Sequence, residues 1–103
     1  MPRFLVTYHG GAEIPHDPEV MERIRRAFME WAQKTGPALI DPGAPIAARK
    51  TVSPKGLRDG AAEGPVDGWS VIEAADMDAV AEIIKDHPFV GRGGSLQINE
   101  PVP

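Results

Sequence analysis

GWSVIEAADMDAVAEIIKDHPFVGRGGSLQIN, residues 68–99, reads as strand, helix, turn and strand in that order. Gly68 to Ala74 is rich in β-branched and aromatic residues, as a strand requires. Asp76 is an N-cap acceptor, and Met77, Val80, Ala81 and Ile84 follow as one apolar helical stripe. Pro88 stands just past the end of that helix. Gly91-Arg92-Gly93-Gly94 is a turn. Ser95 to Asn99 then alternates apolar and polar residues, the signature of a strand with one covered face.

The residues upstream repeat this plan. Phe4-Leu5-Val6-Thr7-Tyr8 is a first strand that ends at Gly10-Gly11. Asp17-Pro18-Glu19 opens a helix with a cap acceptor, a proline at the first helical position and a first-turn carboxylate. Val20, Ile24, Ala27, Phe28 and Trp31 form its apolar stripe. Glu19–Arg23 and Glu22–Arg26 are favourable pairs on its wet side. Gly36-Pro37 stops it. Asp41-Pro42-Gly43-Ala44 reads as a turn, Ile46 to Ser53 as the second strand, and Pro54 to Pro65 as a long loop.

The expected fold is therefore α+β: a ferredoxin-like βαββαβ arrangement over residues 1–103, with a four-stranded antiparallel sheet and two helices on one face. Two helices cover one face only. Strand one offers Phe4, Val6 and Tyr8 on one side and Leu5, Thr7 and His9 on the other, and neither side is plainly solvent-like. The last strand offers Leu96 and Ile98 against Ser95, Gln97 and Asn99, so the second face is mixed. Such a mixed face suits a homodimer built through the sheet, enclosing a polar pocket.

Composition narrows the function classes. The chain has 103 residues, 42% of them apolar, enough for one domain with a core. Eleven basic against fifteen acidic residues, net −4, disfavour nucleic acid or an anionic membrane as a partner. The absence of cysteine removes disulfides and thiolate chemistry. No apolar run reaches the ~20 residues of a membrane span. No secretory signal is expected at the start, so the expected location is cytoplasmic.

Leu39-Ile40-Asp41-Pro42-Gly43-Ala44-Pro45, Arg49-Lys50-Thr51-Val52-Ser53, Gly68 to Ala74, His87-Pro88-Phe89-Val90 and Gly93 to Ile98, in this order, resemble the YCII-related domain family. The resemblance spans nearly the whole chain. It implies a dimeric α/β barrel, two sheets packed face to face, and a small-molecule site served by a histidine and an aspartate. Asp41 matches that pattern. The histidine the family carries in the first helix has no counterpart between Pro18 and Gly36.

Several residues are candidates for chemistry. His9, at the end of strand one, could serve as a general base, or be a hydrogen-bonded strand-end residue. Asp41 could orient it, or hold its own turn by accepting backbone N–H groups. His87 reads as a C-terminal cap of the second helix, where a positive imidazole is favoured. His16 reads as a solvated loop residue. The three histidines are far apart and show no metal-ligand spacing, so neither metal nor cofactor is expected. Arg49, Lys50 and Arg92 are cationic candidates for an anionic ligand, and Gly91 to Gly94 could form a backbone anion nest. Ser53, Trp69 and Gln97 complete the ligand-binding candidates. The function expected is small-molecule binding with cofactor-independent acid/base chemistry at His9 and Asp41; the alternative is a non-catalytic dimeric binding or accessory module.

Overall fold

A computed structural model describes residues 1–10, 17–61 and 64–103. Gly11 and His16 lie outside the described residues. The chain is α+β, with strands β1 (Arg3–His9), β2 (Leu39–Pro45), β3 (Lys50–Ser53), β4 (Gly56–Asp59), β5 (Gly68–Glu73) and β6 (Ser95–Asn99). The helices are α1 (Pro18–Thr35), α2 (Met77–Ile84) and a single turn, α3 (Pro88–Gly91). Four strands form an antiparallel sheet in the order β2-β5-β1-β6. β3 and β4 form a separate hairpin.

The caps fall where the sequence puts them. Asp17 Oδ1 accepts the Glu19 N–H at 2.9 Å, with Pro18 at the first helical position. Asp76 Oδ1 accepts the Ala79 N–H at 2.8 Å. Glu22 is the hub of charge on α1: it binds Arg25 at 2.7 Å and Arg26 at 3.8 Å. Glu19 and Arg23 form no ion pair among the described residues.

Strand alternation builds the core. Phe4, Val6 and Tyr8 of β1 point to one face, with Ser70 and Ile72 of β5 beside them and Leu96 and Ile98 of β6 on the other side. Trp31, Val80 and Ile84 from the helices close over them. Phe4, Val6, Ile72 and Val80 are fully buried, each worth about 1.5–3 kcal/mol in surface removed from water. Trp31 joins the two long helices, its indole N–H donating to the Ile83 carbonyl at 3.3 Å.

The second strand is not where propensity places it. Leu39–Pro45 pairs with β5, whereas Ile46 to Arg49 lies outside any strand. β2 is an edge strand, where a proline without an N–H is tolerated. The Asp-Pro-Gly turn survives as an irregularity inside it. Asp41 Oδ1 accepts the Gly43 N–H at 2.8 Å, and the register shifts on both sides of Asp41. Gly43 has φ of +69°, and a Cβ there would run into the Trp69 carbonyl. Only glycine fits.

Lys50 to Ser53 instead turns at Pro54-Lys55 and pairs with Gly56–Asp59. The expected loop from Pro54 therefore begins with a strand. Lys50 meets Asp59 across the hairpin at 3.2 Å and is solvated. No helix among the described residues is long and apolar enough to cross a membrane.

Candidate functional site

The apolar stripe of α1 does not bury evenly. Trp31 is buried, but Val20, Ile24 and Phe28 are only half-buried. Between the first turns of α1, the β2–β5 end of the sheet and α3 lies a cleft of about 1000 Å³. Ile24 and Phe28 face it from α1, Tyr8 from β1, Pro42 to Ala47 from β2 and the segment after it, and His87 and Phe89 from α3.

A chain of polar groups runs along the floor. Phe89 N–H donates to His87 Nδ1 at 3.0 Å, so the neutral ring carries its proton on Nε2. That N–H lies 2.9 Å from the Tyr8 hydroxyl. The Tyr8 oxygen is 2.8 Å from Ser70 Oγ, which in turn donates to the Pro42 carbonyl at 2.9 Å. The donors therefore run in one direction: His87 to Tyr8 to Ser70 to Pro42. No buried side-chain polar atom among the described residues lacks a partner.

This wiring sets the titration of its members. Burial holds the His87 imidazole down at about 4; the nearby Arg92 charge acts in the same direction and Asp86 opposes it. Burial pushes the Tyr8 phenol up, opposed by its bond to Ser70. Both groups are neutral near pH 7 and act as hydrogen-bonding groups. Aromatic contacts fix them further: His87 stands 4.3 Å from Trp31 and 5.0 Å from Tyr8, ring centre to ring centre.

His87 is thus a cap, but of the following helix and not the preceding one. The signal was present in the sequence. A residue before proline is driven out of the α region, so His87-Pro88 opens a helix with proline at its first position. Tyr8 and Ser70, hubs of the floor, were read only as strand residues; polar side chains on an inward-facing row are the feature that marks them.

The remaining candidates divide. Trp69 and Arg49 line the cleft. Arg49 donates to the Val66 carbonyl at 2.8 Å and faces Asp67 at 3.5 Å. Ser53 is in the hairpin, where its Oγ accepts the Lys55 N–H at 3.1 Å. Gln97 is on the uncovered face, donating to Asn99 Oδ1 at 2.7 Å. The backbone nest is not available. The Gly91 N–H donates to the His87 carbonyl, Arg92 to Pro88 and Phe89, Gly93 to Val90 and Gly94 to Phe89.

His9 and Asp41 are not neighbours within the chain. Asp41 pairs with Val71, and Val71 with Leu5, so Asp41 stands two strands across and four residues along from His9. That is roughly 16 Å from standard strand spacings. His9 instead meets Thr7 Oγ1 through Nε2 at 2.8 Å and the Pro65 carbonyl through Nδ1 at 2.8 Å. A carbonyl only accepts, so Nδ1 carries a proton and, in the neutral ring, Nε2 accepts from Thr7. Asn99 Nδ2 donates to the same hydroxyl oxygen at 3.3 Å. Among the described residues no group of three or more histidine or acidic side chains could hold a metal.

No family model matches the chain, and no curated protein matches it.

Proposed function

We propose that this chain is a small-molecule-binding protein whose ligand occupies the cleft between α1, α3 and the β2–β5 end of the sheet. The observation that carries this reading is the cleft itself: about 1000 Å³ of space over a floor of Tyr8, Phe28 and Phe89. A helix that leaves half its apolar stripe over open space serves packing poorly and a guest well. The polar floor is saturated and neutral, which suits orientation of a ligand more than proton transfer. The fluorescent apolar amine N-phenyl-1-naphthylamine tests the site. It should brighten on binding, and Ala47→Trp, which fills the cleft from an exposed position, should abolish the signal. Equal signals from both chains would remove the cleft as the site.

The strand order β2-β5-β1-β6 supports a ferredoxin-like reading, with β3–β4 as an added arm. That reading in turn supports kinship with the YCII-related domains and a homodimer formed through the uncovered sheet face. Leu5 is 40% exposed there. The hairpin adds Val52 and Leu57, paired across its strands and exposed. A lone two-stranded hairpin is marginal in water. Light scattering should report a particle of twice 11.1 kDa; a monomer at micromolar concentration would remove the dimer.

One observation favours a second reading, acid/base catalysis at His9: its contact with the Thr7 hydroxyl, with Nδ1 anchored on Pro65. Hydrolysis of p-nitrophenyl esters lost in His9→Ala would support it. Equal rates in both chains would remove it.

A further inference from the structure

Among the described residues three arginines border the cleft, Arg25, Arg49 and Arg92, against one acidic residue, Asp67. In a chain of net charge −4 this is a local reversal of sign. The three are not equivalent. Arg25 is forked onto Glu22 at 2.7 and 3.0 Å and touches Met29 Sδ at 2.8 Å. Arg49 is held by the Val66 carbonyl and Asp67. Arg92 has no carboxylate within ion-pair distance among the described residues.

Arg92 is nevertheless well placed. It is half-buried, and its guanidinium lies 5.8 Å from the centre of the Phe89 ring. The ring is held in turn: a Cβ on Gly94 would run into it, so the chain passes tightly beneath. The Arg92 N–H bonds to the Pro88 and Phe89 carbonyls, which anchors the base of the side chain at the end of α3. The result is a charge with no carboxylate partner among the described residues, at the edge of an aromatic cavity. A guanidinium there reads a planar anion through two parallel N–H donors.

We infer that the ligand of this cleft is an aromatic acid, its anionic group held by Arg92 and its ring system stacked among Tyr8, Phe28 and Phe89. This rests on the reading that the cleft is a small-molecule site, and it adds the charge and shape of the guest. A neutral ligand would make no use of the Arg92 charge. An extended alkyl chain would make little use of three aromatic faces.

The dye 8-anilinonaphthalene-1-sulfonate is N-phenyl-1-naphthylamine with a sulfonate added, so the pair isolates the anion. Both are titrated into the intact chain and into Arg92→Gln, counting only the signal that Ala47→Trp removes. The sulfonate should bind about tenfold more tightly than the neutral dye, and in Arg92→Gln that preference should fall to near onefold. Arg25→Gln, whose guanidinium is already engaged by Glu22, should keep most of the preference. Equal affinity for the two dyes in the intact chain, or a preference that survives Arg92→Gln, would overturn the inference while leaving the cleft a binding site. Absence of cleft binding by either dye would overturn both.

Discussion

The two faces of the sheet each hold a histidine in a line of hydrogen bonds, and the two lines are wired in opposite senses. On the helix-covered face His87 accepts at Nδ1 and donates at Nε2. On the uncovered face His9 donates at Nδ1, to Pro65, and accepts at Nε2, from Thr7. The consequence is chemical. A second proton on His87 would have to sit on Nδ1, facing the Phe89 N–H, and would break the cap of α3. On His9 the nitrogen fixed by the backbone is the donor, and its acceptor nitrogen meets a side-chain hydroxyl. One ring is anchored through its acceptor, the other through its donor.

The largest expected difference between the faces is in stability. Tyr8→Phe removes the middle of the covered line and leaves the His87 Nε2–H and Ser70 without their shared partner. This should cost about 2 kcal/mol, the penalty for buried groups left unpaired. Thr7→Val on the other face leaves Asn99 with the Leu5 and Gln97 carbonyls and His9 with the Pro65 carbonyl. It should cost under about 1 kcal/mol. Urea unfolding of both variants measures the gap. A Thr7→Val cost as large as that of Tyr8→Phe would mean that the two lines of hydrogen bonds bear equally on stability.

Next in size is the response to acid. The folded His87 binds its proton at about 4, while an unfolded histidine does so near ~6.5. Between these values the unfolded chain holds more protons. The contribution of His87 is therefore complete above the unfolded value and is lost as pH falls through the window, at no more than ~1.4 kcal/mol per pH unit. The charged groups acting on the ring are Arg92, which favours the neutral form, and Asp86, which opposes it; Tyr8 is uncharged. His87→Asn keeps an acceptor for the Phe89 N–H, and His87→Gln keeps a donor toward Tyr8. Both should flatten the stability curve between pH 4 and 6.5. An unchanged curve in both would assign the acid sensitivity elsewhere.

Most of the scaffold was legible because its signals are local. Asp17-Pro18, Asp76 and the alternation of Ser95 to Asn99 each state their structure within a few residues, and the two long helices and strands β1, β5 and β6 follow. The second strand was not legible. Its pairing depends on lying at an edge beside β5, where Pro42 and Pro45 cost little, and no local propensity carries that information. Ile46 to Ser53 had the better strand composition, but only Lys50 to Ser53 is a strand, and it pairs in the separate hairpin. The site was legible only in part. Trp69 and Arg49 do border the cleft, and Arg92 stands at its rim, but the cleft lies on the covered face. Ile24 and Phe28 of α1 border it and stay only half-buried, which an unbroken apolar stripe cannot reveal. The pairing of His9 with Asp41 failed on register: two strands of one sheet need not be adjacent, and β5 lies between them.

The smallest effect is also the most direct reading of the wiring, because it changes no stability at all. At pH 8.5, above the ordinary histidine range, each ring has one bare nitrogen and one protonated nitrogen. The bare one resonates far downfield in a long-range ¹⁵N–¹H spectrum. For His87 it should be Nδ1, since the Phe89 N–H points at it; for His9 it should be Nε2, since only a proton on Nδ1 can satisfy Pro65. Acidification to pH 5 should leave the His87 pattern in place, because its proton binds at about 4. His87→Asn and Thr7→Val assign the signals and test the coupling. Loss of Thr7 should free His9 to exchange tautomers while His87 stays fixed. Identical tautomers in the two rings would mean that the faces are wired alike, and the contrast between a ring anchored through its acceptor and one anchored through its donor would fall.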